Sequence, residues 1–145
     1  MSQKIIDILN EAIQSEIGAI MQYMAGHYRM PKDKHPVIRE MLERISVEEM
    51  KHAESFSKRV VALGGREAIT PDIVHFSNDL VEIMDLNEKA EDGAIEMYQK
   101  HIKICEQEND PETKAIYEDV LKDELRHKKI FATFKKLLES NQEGI

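Results

Sequence analysis

All four prolines and the only Gly-Gly pair of this chain fall in three places, and the stretches between them keep an apolar period of about 3.6 residues. That distribution allows four long helices and little else. The first stretch runs from about Ser2 to Met30 and stops before Pro31; the second begins near His35-Pro36 and ends at Gly64-Gly65, a helix C-cap. The third starts near Ser77 or Asn78, either of which serves as N-cap, and fades around Glu108-Asn109. Asp110-Pro111-Glu112 then reads as N-cap, N1 proline and acidic first turn of a fourth helix that continues to about Ser140. Each holds roughly 28 residues and so measures about 42 Å. The first and last connections are short, which makes the flanking helices antiparallel neighbours. The middle one, Gly64 to Phe76, is long enough at about 3.3 Å per extended residue to travel the length of a bundle. The expected fold is therefore an all-α four-helix bundle with a long crossover between helices two and three. Helices two and three are then parallel, and helix three is antiparallel to helix one.

Residues 1–145 are the right size for a single domain with its own core. The formal charge of −8 argues against nucleic acid, because phosphate binding needs a basic surface, and no apolar run is long enough to span a membrane. The start, MSQKIIDILNE, is amphipathic rather than a signal peptide. Cys105 is the one cysteine, which excludes an intrachain disulfide and makes a reducing, cytoplasmic setting the expectation.

The apolar stripes carry the decisive feature. Helix one presents Ile6, Leu9, Ile13, Glu16, Ile20, Tyr23 and His27; helix two Leu42, Ile45, Glu49, His52, Phe56, Val60 and Leu63. Helix three presents Leu80, Met84, Asn87, Glu91, Ala94, Tyr98, Ile102 and Cys105; helix four Tyr117, Val120, Glu124, His127, Phe131, Phe134 and Leu138. Every stripe contains a glutamate near its midpoint, and two add a histidine one turn later. In an up-and-down bundle the midpoints share one height, so four carboxylates and two imidazoles converge. Buried together they are tolerable only if they take up protons or bind cations. Two divalent metals balance four carboxylates, with the neutral histidines as further ligands. The mixed oxygen and nitrogen donors suit iron, manganese, cobalt or zinc.

An internal repeat supports one shared site. At an offset of 75 residues, Glu16-x-Gly18-Ala19-Ile20-x-x-Tyr23 returns as Glu91-x-Gly93-Ala94-Ile95-x-x-Tyr98. Glu48-Glu49-x-Lys51-His52-x-x-x-Phe56 returns as Asp123-Glu124-x-Arg126-His127-x-x-x-Phe131, and in each half the lone Glu precedes the Glu-x-x-His by 33 residues. Two helical hairpins related by an approximate two-fold axis would give one metal to each half.

The pattern Glu…Glu-x-x-His…Glu…Glu-x-x-His on four helices resembles the ferritin-like di-iron carboxylate proteins. Within them, Glu49-Met50-Lys51-His52-Ala53 and the placing of Tyr23 after Glu16 are most similar to bacterioferritin. The resemblance implies oxidation of Fe(II) by dioxygen or peroxide at an intra-subunit di-iron site, serving iron storage or detoxification. It implies Glu49 and Glu124 as bridging ligands, Glu16 and Glu91 as terminal ones, and His52 and His127 as one imidazole per iron. Haem b shared between two subunits would use Met50, so a homo-oligomer of at least a dimer is expected. Glu48 and Asp123 would hold the opposite half's histidine by its free ring nitrogen. Cage-forming members carry a fifth helix, for which Glu143-Gly144-Ile145 is too short, so cage assembly is not expected to follow from the resemblance.

Other readings stand beside these. Met50 also reads as interface filler, since its repeat mate Leu125 is purely apolar. Tyr23 and Tyr98 read as core residues donating to a ligand carboxylate, with Tyr23 also placed to donate an electron. His27 reads as part of an iron path or as a satisfied core histidine, and Cys105 as a small apolar residue. The alternative activity is that of a rubrerythrin-like di-iron peroxide reductase. Those proteins carry a further carboxylate where this chain has Ala94, and a Cys-rich electron-transfer module that this chain lacks. A helical interaction module without metal is the reading from another class.

Overall fold

The computed structural model describes residues 2–140 and 144–145. Four helices lie among them: α1 (Gln3–Arg29), α2 (Pro36–Ala62), α3 (Leu80–Gln107) and α4 (Pro111–Glu139). No strand occurs among the described residues. The expectation that no fifth helix follows α4 rests partly on Glu143, which lies outside the described residues.

Local chemistry sets each helix end. Ser2 caps α1 by accepting from the Ile5 amide, and Met30 turns extended ahead of Pro31. At the end of α2, Gly64 adopts φ 81°, while the Gly64 and Gly65 amides return to Val61 and Val60 carbonyls. This is a Schellman ending, and only glycine enters that left-handed conformation without a Cβ penalty. The cap of α3 is Asp79 rather than Ser77 or Asn78: its carboxylate accepts from the Glu82 amide, and the Ser77 hydroxyl accepts from the Asp79 amide. A carboxylate at the positive helix end outcompetes a neutral cap one or two residues earlier. Asp110 caps α4 through the Thr113 amide, and Arg59 of α2 reaches across to both of them.

α1 pairs with α2 and α3 with α4 along their lengths, with lighter α1–α3 and α2–α4 contact. Cross-helix bonds give the directions. Gln22 meets Asn87 while Glu16 meets Tyr98, so α1 and α3 are antiparallel. His52 meets Asp123 while Arg59 meets Asp110, so α2 and α4 are antiparallel as well. The crossover follows α1: Arg66 and Ala68 bond Asn10, Thr70 and Asp72 bond Gln14, and His75 bonds Gln22. It lies against α1 at Gly18, where a Cβ would stand 3.3 Å from the Asp72 carbonyl oxygen. The glycine is what lets the strap lie flat.

The interior has two apolar cores with a polar layer between them. Leu9, Ile13, Phe56, Val60, Tyr98 and Tyr117 belong to one; Tyr23, Leu42, Ile45, Met84 and Phe131 to the other. Each buried Leu, Ile or Phe contributes about 1.5–3 kcal/mol by leaving water. That surplus on both sides is what makes a charged middle layer sustainable.

Candidate metal centre

The polar layer is built from the six glutamates and histidines that interrupt the stripes. Glu16 comes from α1, Glu49 and His52 from α2, Glu91 from α3, Glu124 and His127 from α4, and none is more than 5% exposed. The i, i+3 step puts Glu49 beside His52 and Glu124 beside His127 on one helix face. Their donor atoms form two groups, each with all members within 4.8 Å of one another: Glu16, Glu49, His52 and Glu124, and Glu49, Glu91, Glu124 and His127. Glu49 and Glu124 belong to both.

The approximate two-fold axis is visible in the distances. His52 Nδ1 stands 3.2 Å from Glu49, 3.3 Å from Glu124 and 3.5 Å from Glu16. His127 Nδ1 stands 3.1 Å from Glu49, 3.3 Å from Glu124 and 3.6 Å from Glu91. The two rings lie 6.2 Å apart at 28°. Outside them, His52 Nε2 donates to Asp123 at 2.8 Å, and His127 Nε2 donates to Glu48. The acids at 48 and 123 thus hold the opposite hairpin's histidine, as the resemblance implied. They keep the proton on Nε2 and turn the Nδ1 lone pair inward. Tyr23 donates to Glu91 and Tyr98 to Glu16, both at 2.6 Å, taking one oxygen of each outer carboxylate.

What remains is a convergence of acceptors. Glu16 Oε2, Glu49 Oε1, Glu91 Oε2, Glu124 Oε1, His52 Nδ1 and His127 Nδ1 are all buried without a hydrogen-bond partner. Six lone-pair atoms facing one another without a donor cost several kcal/mol unless a proton or cation sits among them. The donor set fits two dications, which neutralise the four carboxylates and use every orphaned atom. Without a cation, protons must serve. Burial, followed by the repulsion of Glu16 and Glu91, raises Glu49 well above the ordinary carboxylate range, and burial with Glu16 and Glu49 does the same to Glu124. Burial opposes a charged His127, but Glu124, Glu91 and Glu48 outweigh it and push the ring up to about 10; Glu124, Glu16 and Glu49 raise His52 likewise. Burial and the neighbouring glutamates raise Tyr23 and Tyr98, so both phenols remain proton donors.

A cavity of about 510 Å³ reaches Glu49 and Glu124 from the α1–α3 side. Gly18, Ala19, Ala90, Gly93 and Ala94 form part of its wall, and Asp72, Ile73 and His75 of the crossover border it. Small side chains at these positions leave the opening that larger ones would close.

The remaining expected residues lie elsewhere. Met50 is on the outward side of α2, 53% exposed. His27 is satisfied by the Arg39 carbonyl, 2.6 Å from Nδ1, and stands 3.4 Å from Glu43. Cys105 is fully buried in the apolar core. Two features escaped the sequence reading: the buried Gln22–Asn87 bond at 2.9 Å, and His101, which is 4% exposed and bonded to Tyr117 and Glu11. Their partners are distant in the chain, so only the position of Asn87 on the helix-three stripe hinted at either.

Residues 6–140 match the family described as the ferritin-like domain. The bacterioferritin of Desulfovibrio desulfuricans is 30% identical over 125 residues, covering 86% of this chain and 70% of the relative. A crystal structure of Desulfovibrio desulfuricans bacterioferritin, described with its di-iron site in different catalytic states, superposes with a TM-score of 0.91 at 28% identity over 94% of this chain and 81% of that one. The Rhodobacter capsulatus bacterioferritin, described with a metal-free dinuclear site and haem iron, gives 0.92 at 25% identity over 97% and 88%. With its fold, its mid-bundle cluster and these likenesses in agreement, the chain belongs to the ferritin-like family, among the bacterioferritins.

Proposed function

We propose that this chain binds Fe(II) as a pair within each subunit and oxidises it with dioxygen or peroxide, in the service of iron storage or detoxification. The observation that carries the reading is the set of six orphaned atoms arranged as two groups sharing Glu49 and Glu124. Glu49 and Glu124, which belong to both groups, would serve both ions, Glu16 and Glu91 one each, and His52 and His127 would give one imidazole to each iron. The iron pair supplies electrons to the oxidant; the protein supplies position, charge balance and a dry surround.

Asp123 and Glu48 orient the imidazoles, while Tyr98 and Tyr23 keep the outer carboxylates from swinging away. Tyr23, bonded to Glu91, is also placed to give an electron. The cavity at Glu49 and Glu124 is the passage for iron and oxidant. Met50 faces outward, and Met21, Tyr28, Val37 and Val47 of the same hairpin are also exposed apolar residues. That surface suits a second copy of the chain, with haem b between two Met50 side chains. Among the described residues no helix is long and apolar enough to cross a membrane. The free, buried Cys105 suits a reducing cytoplasm.

The test is aerobic addition of Fe(II) to the purified protein. Rapid oxidation that is lost on Glu49→Ala or His127→Ala supports the reading; equal rates in all three proteins end it. An absorption spectrum of the same sample reports whether haem is present, and Met50→Leu should abolish that signal. Comparing peroxide with dioxygen as oxidant separates storage-type chemistry from peroxide reduction.

A further inference from the structure

On one side only, the cluster continues into a chain of ionisable aromatic groups that ends at solvent. Tyr98, whose hydroxyl bonds Glu16, lies with its ring centroid 5.5 Å from that of Tyr117. Tyr117 is fully buried; its hydroxyl donates to the Ile8 carbonyl oxygen at 3.0 Å and stands equally close, 3.0 Å, to His101 Nδ1. His101 Nε2 in turn is 3.2 Å from Glu11, whose side chain is 61% exposed. A carboxylate facing Nε2 selects the tautomer protonated there, so Nδ1 is left as an acceptor that shares the one Tyr117 hydroxyl proton with the Ile8 carbonyl. Burial lowers the His101 pKa, keeping the ring neutral and basic at Nδ1.

The internal repeat provides a control within the same molecule. At the offset of 75, Tyr117, His101 and Glu11 correspond to Leu42, Gly26 and Leu86. The mates occupy matching places: a Cβ on Gly26 would lie 3.3 Å from Leu42. The other half therefore packs with an apolar pair where this half has a hydrogen-bonded phenol and imidazole. On that side Tyr23 leads only to Phe131, ring centroids 5.1 Å apart, and a phenyl ring has no proton to release. Packing alone does not call for a Tyr–His–Glu series in one half.

We propose that Tyr117, His101 and Glu11 form a proton-coupled redox triad that carries an oxidising equivalent from the Glu16 side of the cluster, through Tyr98, to the protein surface. One electron leaves the Tyr117 phenol by way of Tyr98 to the oxidant. The phenolic proton crosses to His101 Nδ1, and the Nε2 proton passes to Glu11 and solvent. The phenol becomes a neutral phenoxyl and the oxidant is reduced by one electron, so charge and atoms balance. The oxidant is dioxygen or hydrogen peroxide in the course of its reduction by Fe(II) at the cluster; this identity rests on the iron-oxidising reading, whereas the triad does not. Dioxygen takes four electrons on its way to water and a pair of Fe(II) ions gives two, so a route to further electrons has a use. The hole comes to rest beneath the exposed Glu11, where a one-electron reductant in solution can discharge it.

Two arms test the triad and the iron reading separately. In the metal-free Tyr28→Phe protein, which lacks the 64% exposed tyrosine, flash-generated tris(bipyridine)ruthenium(III) serves as the one-electron oxidant, and the phenoxyl is read by absorption and electron paramagnetic resonance. The expected tyrosyl signal is lost on Tyr117→Phe, forms more slowly on His101→Gln, and persists on Tyr23→Phe. In the second arm, Fe(II)-loaded protein is mixed with hydrogen peroxide and frozen, with the same loss on Tyr117→Phe and the same slowing on His101→Gln expected. Absence of a tyrosyl signal in the metal-free arm, or its survival in Tyr117→Phe, overturns the triad. A signal with the expected variant pattern in the metal-free arm alone upholds the triad and counts against the iron reading. Circular dichroism checks each fold. Should Tyr117→Phe not fold, His101→Gln decides, and an unchanged rate of phenoxyl formation overturns the inference.

Discussion

Replacing Asp123 by alanine should weaken one metal position and spare the other. Asp123 accepts the Nε2–H of His52 at 2.8 Å, the bond that turns the His52 Nδ1 lone pair toward Glu16, Glu49 and Glu124. Loss of such a supporting acceptor costs about 10–100-fold in metal affinity, or about 1.4–2.8 kcal/mol. His127 has its own acceptor in Glu48, so its group loses nothing directly. Asp123 is 42% exposed, and it also pairs with the half-exposed Arg126 at 3.4 Å. Solvent screens both contacts, so the metal-free fold should lose no more than about 1 kcal/mol. The assay is calorimetric titration with Co(II) under nitrogen. Wild type should take up two ions per chain, and Asp123→Ala should split the isotherm into one unchanged and one weakened event. In a thermal scan with excess metal, the variant's gain in melting temperature should shrink by about 2–4 °C for each kcal/mol lost. Equal weakening of both events, or of neither, would refute the assignment of Asp123 to His52.

Further outcomes can be checked alongside. Metal-free protein should melt highest in mild acid and lose stability as pH rises from about 5 to 9. Glu49 and Glu124 are raised in the fold by burial and then by neighbouring carboxylates, so their contribution is complete below the free side chain's 4.5 and is lost progressively as pH rises from there through their raised folded values. His127, raised from 6.5 to about 10 by carboxylates that outweigh its burial, acts in the same direction at higher pH. The slope is about 1.4 kcal/mol per pH unit for each proton held by the folded state alone. Saturating metal should cancel this slope, and a flat metal-free profile would contradict it. Cys105, pushed up to about 11 by burial and then by Asp110, should resist a disulfide reagent at pH 8 until the chain unfolds. Labelling as fast as a free thiol would show that this end of the core opens readily.

The cluster was legible because a glutamate on an apolar stripe has no inexpensive explanation. Four of them at one height, two followed by histidine at i+3, leave cation binding as the economical solution, and the six residues do meet. The role of the outer acids at 48 and 123 was what the family resemblance implied, and His52 and His127 do bond them. The path of the crossover was not legible. Its length allowed passage along the bundle, but its seat on α1 depends on the amides of Asn10, Gln14 and Gln22 and on the room at Gly18. The α3 cap slipped from Ser77 or Asn78 to Asp79 because three good caps stand in a row and a carboxylate wins at the helix dipole. His101 leaves no local signature, because it bonds residues 16 and 90 positions away.

Anomalous scattering at the iron absorption edge, from crystals grown with Fe(II) under nitrogen, examines the centre itself. Two peaks about 3.5–4 Å apart are expected, one between Glu16 and His52, the other between Glu91 and His127, with Glu49 and Glu124 touching both. No peak inside the bundle, or iron confined to surface acids while the six side chains hold only protons, would contradict the account.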